Sequence, residues 1–412
     1  MWSLVLIFIV TITYILFFSP IRFRNNSGPF FIFYKLPGPL YPLKYIFYYL
    51  FFTSVKSLLQ YFDYHTKHGK TYENDGPHKL GDTLGYDATW FGGTNSDGQW
   101  ILFSIDRRSD HKMSLGYVCL KIPGIGFMAT SVLEDTLVKS KHNFTLDKSD
   151  ATMNIPLRSW TFQFEGEMVF VDNPTKSTYV IINGQWQSTN EVWLLNRDWS
   201  SELFAESFAL EKFNTFVKAI LKKSKTNEVV HWEQIGKINA EVNIHGTTVE
   251  IKNIMALKDR SFGAVRDYSL IHRYVMFMMF LNNGQCVVFC AVCSKTSLSR
   301  LFYGYMSNEN GRNINIDWSD FNMYQTGENG RTPEEINFII RIDNQFHSIE
   351  IKCTNQRWFS IEKENITRNE QFAQCLFDDI PGKCFIQWQY SKESLRKTKL
   401  NNFDFESQDS KK

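Results

Sequence analysis

Short runs of alternating apolar and polar residues, separated by turn-forming residues, constrain the fold of this chain more than any other feature. Clear examples are QWILFSIDRR at 99–108, LGYVCLKI at 115–122 and HSIEIKC at 347–353. Successive side chains of a strand point to opposite faces, so such alternation predicts β-strands. His-Gly at 245–246 and Asn-Asn-Gly at 282–284 join pairs of runs, and these residues accept the positive φ of a tight turn. The chain is therefore predicted to be mainly β, with antiparallel hairpins.

The composition fits a folded, β-rich body. Aromatic residues make up 16% of the 412 residues, with Phe alone at 36, and aromatic enrichment favours strands. With 45 basic and 43 acidic residues the net charge is +2, which gives no electrostatic reason to expect a nucleic-acid partner. The seven cysteines are an odd number and lie in apolar runs, which indicates a reducing compartment rather than a disulfide framework.

One helical pattern interrupts the strands. In SSELFAESFALEKFNTFVKAILKK at 200–223, serines can cap the start, acidic residues come early and lysines come late. The pattern divides the strands into two predicted antiparallel β units, 75–195 and 230–395, with a bridging helix at 196–229. The polar tail at 396–412 is predicted to be disordered.

The amino terminus carries an uncharged apolar run at residues 2–18, followed by Arg22 and Arg24. About 17 to 21 helical residues can cross a bilayer, so residues 1–21 are predicted to be a transmembrane anchor. A cleaved signal peptide is disfavoured, because no basic side chain precedes the run and no Ala-x-Ala-like site follows. The basic flank after the run predicts a single-pass protein with its bulk in the cytoplasm.

A second apolar segment, at 40–62 in the linker 22–74, is interrupted by Lys44 and Lys56. Its uncharged interior is too short to span a bilayer. Its tyrosines favour the wet edge of a membrane and its lysines can reach water, so an interfacial amphipathic helix is predicted. A buried helix packed on the main body is the alternative.

The charged run DRSFGAVRDY at 259–268 lies where one strand ends and the next begins. In a structural interpretation, its arginines pair with carboxylates and Gly263 permits a close backbone approach. In a functional interpretation, Asp259, Asp267 or His272 lies at a cavity mouth, where desolvation shifts a pKa toward general acid work. Both interpretations stay open from the residues alone.

The sequence yields two sets of candidate site residues. The candidate catalytic residues are Asp259, Asp267, His272, Glu233 and His231. The candidate ligand-binding or structural residues are Arg260, Arg266, Gly263, Asp82, Asp87 and Trp90. We expect the two arginines to orient the acids.

Neither a metal nor a cofactor is predicted. His78, Asp82 and Asp87 lie in a Gly-rich segment, and isolated His and Asp near Gly turns usually stabilise loops through hydrogen bonds. The C-x3-C-x2-C spacing at 286–293 is that of some iron–sulfur enzymes. Its intervening residues form a buried strand pattern, so small core thiols are expected there.

Four longer motifs carry a resemblance to known families. They are DGPHKLGDTLGYDATWFGGTNSDG at 75–98, KIPGIG at 121–126, HWEQIGKINAEVNIHG at 231–246 and DRSFGAVRDY at 259–268. The chain resembles the amino-terminal region of invertebrate proteins labelled as phosphoenolpyruvate synthase-like. More distantly it is similar to double lipocalin-like proteins, the group that includes carotenoid hydratases. The resemblance covers most of residues 75–390.

The resemblance implies two lipocalin-like β units but little about activity. No Gly-rich phosphate loop with its Lys is visible, so phosphotransferase chemistry is not expected. Phe262 and Tyr268 stand where the family often has Trp, which keeps the aromatic bulk but removes any indole hydrogen bond.

Two function classes follow from these expectations. The first is a membrane-anchored β-rich protein that binds a lipophilic small molecule in a cavity. The alternative is a hydratase or isomerase that acts on an apolar substrate through carboxylate acid/base chemistry. Whether the protein is an enzyme, and its oligomeric state, stay open at this point.

Overall fold

A computed structural model describes most of the chain. The described residues are 33–66, 75–80, 85–109, 113–131, 133–135, 144–215, 230–264, 268–328, 330–361 and 365–393. The predicted anchor at 1–21 and the predicted tail at 396–412 lie outside them. Among the candidate site residues, Asp82, Arg266 and Asp267 also lie outside them.

Strands dominate the described residues, as the alternating pattern predicts. The strands are β1 (Tyr86–Thr94), β2 (Trp100–Arg108), β3 (Met113–Ile122), β4 (Gly126–Ala129), β5 (Leu133–Asp135), β6 (Phe144–Leu146), β7 (Ser149–Ile155), β8 (Ser159–Phe170), β9 (Asn173–Gln187), β10 (Val192–Leu194), β11 (Val230–Ile244), β12 (Thr247–Gly263), β13 (Ile271–Leu281), β14 (Cys286–Ser294), β15 (Leu301–Ser307), β16 (Asn313–Ser319), β17 (Glu335–Ile342), β18 (Gln345–Ile361), β19 (Ile366–Phe377) and β20 (Ile380–Ser391). The helices are α1 (Tyr41–Thr66) and α2 (Ser201–Ala209), and a 3₁₀ turn spans Tyr268–Leu270. The prediction of a mainly β fold is confirmed.

The first sheet closes on itself. Its order runs β11-β12-β1-β2-β3-β4-β8, and β9 pairs with both β8 and β11. These pairings form a ring, which we call the first barrel. Aromatic side chains such as Phe91, Phe103, Trp160 and Trp186 fill its core.

The second sheet is a closed eight-stranded barrel in which β13 to β20 follow one another in chain order. Strand β20 pairs with β13 and closes the ring. Phe277, Phe289, Phe321, Phe338 and Trp388 pack together in its core. The apolar run after residue 272 therefore forms part of the wall of this second barrel.

The boundary between the two units differs from the predicted one. Strands β11 and β12, at residues 230–263, pair with β9 and β1 and so complete the first barrel. The second barrel begins only at β13, not at residue 230. Alternation identifies a strand, but it does not say which sheet the strand joins, because pairing partners can be distant in sequence.

The helix between the strand groups is shorter in its described part than the predicted 200–223 segment. α2 begins after Ser200, whose side chain accepts a hydrogen bond from the Leu203 N–H at 3.3 Å. It ends at Ala209, with Leu210 as its C-cap. α2 packs on β15 and β16 and against α1, so it lies on the second barrel.

Helix α1 occupies the second apolar segment of the sequence. Its Tyr48 and Phe52 are buried against Ala205 and Phe208 of α2. One face is therefore packed on the body, which is the alternative that the sequence left open. Among the described helices, none combines the length and the continuous apolarity that crossing a bilayer requires.

The two barrels meet through an apolar interface. Trp100 and Phe127 of the first barrel each lie 4.8 Å from Phe372 of the second, measured between ring centroids. Phe280 and Phe385 join the same cluster. This contact holds the outer face of β1–β3, β11 and β12 against the second barrel.

Candidate functional site

A cavity of about 220 Å³ lies between the two barrels. Trp90, His231 and Asp259 line it from the first barrel, and Tyr274 and Tyr303 line it from the second. Pockets that hold small ligands commonly form at such junctions. We call this space the inter-barrel cavity.

Strand register explains why these side chains meet there. Glu233, Asp259, Trp90, Ser104 and Tyr117 occupy directly opposed positions on the adjacent strands β11, β12, β1, β2 and β3. Opposed residues of antiparallel strands point to the same face of the sheet. This row lies on the outside of the first barrel, against the second.

The residues beside Asp259 point the other way. Lys258 and Arg260 alternate with it along β12 and are buried inside the first barrel. The Lys258 Nζ donates to Asp75 Oδ1 at 2.7 Å, and the Arg260 Nη1 donates to Asp87 Oδ1 at 2.7 Å. The expectation that Arg260 orients the candidate acids is therefore wrong, because period-two alternation sends it to the opposite face.

His231 lies between two carboxylates at the cavity wall. Its Nε2 is 3.0 Å from Glu233 Oε1, and its Nδ1 is 3.5 Å from Asp259 Oδ1. The side chains are 15%, 0% and 25% exposed for His231, Glu233 and Asp259 respectively. We call these three residues the acid–base array.

Burial controls the protonation of Glu233. Desolvation raises the pKa of the Glu233 carboxyl, and the charge of Asp259 adds to this rise. The hydrogen bond with His231 and the neighbouring Tyr305 hydroxyl act in the opposite direction. The net pKa is raised, so the Glu233 carboxyl keeps its proton to a higher pH than an exposed Glu would.

Three tyrosines of the second barrel surround the array. Burial raises the pKa of Tyr274, Tyr303 and Tyr305 well above the ordinary tyrosine value. Their hydroxyl groups therefore stay protonated at neutral pH and can donate hydrogen bonds.

Asp87 belongs to a polar cluster inside the first barrel. It accepts hydrogen bonds from Arg107, Arg260 and the His78 backbone N–H. Burial alone would raise the pKa of Asp87, but the two guanidinium groups and His78 hold it well below its usual range. The motif that begins at Asp75 thus stabilises the barrel interior through Asp75 and Asp87, which do not face the inter-barrel cavity.

His272 also lies away from the cavity lining. Its Nε2 is 2.8 Å from Glu328 Oε1, its ring stacks on Phe33 at 3.9 Å, and burial lowers its pKa. Arg273 binds the same Glu328. We assign this group to the packing of the second barrel.

Two further candidate residues have different positions, one in the cavity lining and one in a backbone hydrogen bond between strands. Trp90 lines the cavity, and its ring stacks on Phe385 at 5.7 Å. Gly263 is buried at the end of β12, where its carbonyl accepts from the Gly85 N–H. Within the described residues, no group of three or more His, Cys, Asp or Glu side chains has a geometry suited to a metal ion.

Comparison with known proteins assigns a family. The model of a family of unknown function, DUF8627, matches residues 6–362. The chain belongs to this family. No curated protein matches it significantly in sequence.

Two solved structures resemble this member of DUF8627. A kievitone hydratase from Nectria haematococca has a TM-score of 0.52 at 10% identity, over 78% of this chain and 92% of that one. A protein assigned as AttH from Nitrosomonas europaea has a TM-score of 0.50 at 9% identity, over 74% and 93% of the two chains. The similarity supports the double lipocalin-like fold, whereas the resemblance to phosphoenolpyruvate synthase-like proteins finds no support.

Sequence reasoning missed a second buried carboxylate at the interface. The Trp90 Nε1 donates to the Tyr117 hydroxyl at 3.0 Å, and that hydroxyl donates to Glu370 Oε1 at 2.6 Å. Glu370 comes from β19, on the second barrel. An acidic residue within the strand run TRNEQFAQ at 367–374 was the available signal, since a strand rarely buries a carboxylate without a partner.

Proposed function

We propose that the inter-barrel cavity binds a small apolar molecule and catalyses a proton transfer on it, as in the hydration or isomerisation of a carbon–carbon double bond. The observation that carries this proposal is the acid–base array at the cavity wall. Asp259 is directed toward the cavity, while its neighbour Arg260 is directed away and neutralises Asp87 instead. In the cavity the Asp259 carboxylate lies 3.5 Å from the His231 imidazole, and a carboxylate next to an imidazole suits proton transfer.

The lining fits an apolar ligand with one or two polar groups. Leu257, Met276 and Met278 supply flexible apolar surface, while Tyr274 and Tyr303 supply hydroxyl donors. The volume of about 220 Å³ is below the range of about 300–1,000 Å³ that holds drug-sized molecules. A small molecule, or the reactive end of a longer one, is therefore the expected substrate class.

Hydration would proceed by proton addition and water capture. The Asp259 carboxyl donates a proton to one alkene carbon, and the π electrons form the new C–H bond. The electron-deficient neighbouring carbon is stabilised by the face of Trp90 and takes up water. His231 accepts the surplus proton of that water and returns it to Asp259, which restores the array. Glu233 acts as a positioning residue that holds the His231 ring.

Isomerisation would use the same groups without water capture. After protonation by Asp259, His231 removes a proton from the carbon on the other side and the double bond re-forms at a new position. One protein that shares the fold is named as a hydratase, which supports the first reaction as the one to test first.

Binding without chemistry is the second candidate function. It is favoured by the apolar residues of the lining, which would hold a lipophilic molecule with no need for the array. The two candidate functions predict different fates for the ligand. A ligand that is only carried is recovered unchanged, whereas a substrate is recovered as product.

The test is turnover of apolar alkenes by the purified protein in ¹⁸O-labelled water, with mass spectrometry of the extracted products. Substrates would include unsaturated fatty acids and terpenoids of graded size. Wild-type protein should give products heavier by one labelled water. Asp259→Asn and His231→Gln should each slow turnover by about 10²–10⁴-fold, the usual contribution of general acid–base catalysis.

Ser104→Ala is the matched control, because Ser104 lines the same cavity beside Trp90 but cannot act as an acid at neutral pH. It should keep activity within a few-fold of wild type. Equal turnover by wild type and Asp259→Asn would contradict the proposal, and tight binding with unchanged ligand would establish the carrier function instead.

A further inference from the structure

The polarity of α1 is inverted relative to a helix on a water-facing surface. Its two lysines point inward: the Lys44 Nζ donates to the carbonyls of Ala209 and Glu211, and the Lys56 Nζ donates to the Trp199 carbonyl at 2.8 Å. Both ammonium groups are therefore bound to backbone carbonyls of the body. This contradicts the expectation from the sequence that the lysines reach toward water.

Along residues 41–61, whose side chains the structure describes, the outward face of α1 carries large apolar side chains and no exposed charged one. Leu43, Ile46, Leu50 and Leu58 are 47%, 54%, 59% and 57% exposed. Their spacing places them on one side of the helix, opposite Tyr48. A surface helix normally directs its charges outward and its apolar stripe inward, so α1 presents a surface that water does not favour.

Two serine side chains on the exposed part of the helix donate their hydroxyl hydrogen bonds within the helix itself. The Ser54 hydroxyl donates to the Leu50 carbonyl at 2.8 Å, and the Ser57 hydroxyl donates to the Thr53 carbonyl at 2.9 Å. Because these hydroxyl groups already donate to helix carbonyls, they need no water as an acceptor, and such hydrogen bonds suit an apolar environment.

The chain that precedes α1 points to lipid as the covering. Residues 2–18 are uncharged and apolar, and Arg22 and Arg24 follow before α1 begins at Tyr41. A run of that length favours a bilayer, and the two arginines favour anionic headgroups. The 26 residues of α1 extend roughly 39 Å at 1.5 Å per residue, long enough to lie along a membrane surface.

We infer that the outward face of α1 lies in the interface of a lipid bilayer, with the helix parallel to the membrane plane. The opposite face of α1 packs on α2, which connects the helix to the barrels. Leu43, Ile46, Leu50 and Leu58 enter the acyl boundary, and Tyr61 lies at the headgroup level. This placement does not depend on what the inter-barrel cavity does.

The test uses the full chain in vesicles of phosphatidylcholine and phosphatidylserine that contain a phospholipid with a photoreactive diazirine on its acyl chain. After irradiation, peptide mass spectrometry locates the lipid adducts. Adducts are expected on residues 43–61 as well as on residues 2–18. Ile155, which is 57% exposed on the first barrel, should carry none and serves as an internal control.

Two matched triple variants sharpen the result. Ile46→Gln/Leu50→Gln/Leu58→Gln should lower labelling of α1 by about tenfold, since it removes apolar side chains from the interface, and should leave labelling of residues 2–18 unchanged. Ile125→Gln/Ile155→Gln/Leu376→Gln changes three exposed apolar residues on the barrels and should leave both signals unchanged.

Labelling confined to residues 2–18 would overturn the inference, because it would mean that another part of the chain or a second copy covers α1. Equal labelling of α1 in the wild type and in the α1 variant would overturn it as well. Circular dichroism of each variant confirms that the barrels remain folded.

Discussion

Adjacent residues of β12 have opposite environments. Lys258 and Arg260 are enclosed in the first barrel, where desolvation lowers the pKa of the Lys258 ammonium to about 8 despite its pairing with Asp75. Asp259, between them, faces the inter-barrel cavity. The side-chain alternation of a strand thus separates a structural ion pair from a candidate acid within three residues.

Asp87→Asn is expected to destabilise the protein by about 3–5 kcal/mol at neutral pH, because it leaves the buried guanidinium groups of Arg107 and Arg260 without their carboxylate. The pKa of Asp87 is depressed in the folded state, so its contribution is full above the ordinary Asp pKa and declines as the pH falls through the folded value. Denaturant unfolding at pH 7 would measure the first effect, and unfolding followed from pH 7 down to about pH 2 would measure the onset of the second below the ordinary Asp pKa.

Asp259→Asn is the control for that measurement. Its side chain lies on the outer face of the same pair of strands, away from the arginine cluster, so a change of less than about 1 kcal/mol is expected. A larger loss for Asp259→Asn than for Asp87→Asn would contradict the assignment of the two faces.

The sequence indicated Trp90 and all three residues of the acid–base array. Asp259, Glu233 and His231 stand in neighbouring motifs, and a strand pair joined by a short hairpin brings them together. It did not indicate Tyr305 or Glu370, because these come from the second barrel. Which outer faces of two barrels pack together depends on tertiary contacts that no local pattern encodes.

At the scale of elements, one glycine allows β1 to approach β12 closely. A Cβ at Gly93 would lie 1.9 Å from the Met255 carbonyl oxygen and 2.6 Å from the Ala256 Cα. The Gly-Gly pair after Phe91 in the sequence therefore reflects a backbone contact in the first barrel.

Gly93→Ala is expected to lower the free energy of unfolding by about 1–3 kcal/mol or more, since the backbone of β12 must shift to admit the methyl group. Gly38→Ala is the matched control, because nothing lies within 4 Å of a Cβ at that position. Thermal unfolding of the two variants would compare them, and an equal effect would show that the strands do not approach as described.

The sequence predicted the type of a secondary-structure element better than it predicted which other elements that element packs against or pairs with. Alternation located most of the strands, but residues 230–263 pair with the first barrel although a helical segment separates them from its earlier strands. The same limit applies to α1, whose two apolar faces could not be assigned to protein or solvent before α2 was seen to cover Tyr48 and Phe52.

At the scale of the whole molecule, a buried polar contact accompanies the apolar interface of the barrels. The Tyr117 hydroxyl of the first barrel donates to Glu370 of the second at 2.6 Å, and both side chains are buried. Burial raises the pKa of Tyr117 well above its ordinary value, so the donor keeps its proton. Such a bond favours one relative placement of the barrels, because an unpaired carboxylate there is costly.

A double-mutant cycle would measure this contact. Tyr117→Phe and Glu370→Gln should each cost about 1–3 kcal/mol, and the double variant should cost less than their sum by about 0.5–3 kcal/mol. The exposed pair Tyr179 and Glu165, joined at 2.5 Å on the first barrel, is the control. Its coupling should be smaller than that of the buried pair, because water solvates both exposed groups, and equal coupling in the two pairs would argue against a specific role at the interface.

Under the proposed function, the position of the inter-barrel cavity would separate the residues that perform the chemistry from those that select the substrate. His231, Glu233 and Asp259 belong to the first barrel, whereas the tyrosines and methionines opposite them belong to β13 and β15. Replacements in the second barrel would therefore reshape the cavity while Asp259, the proposed proton donor, stays in place. Relatives that keep the acid–base array but vary the tyrosines and methionines of β13 and β15 would be expected to perform one reaction on different molecules.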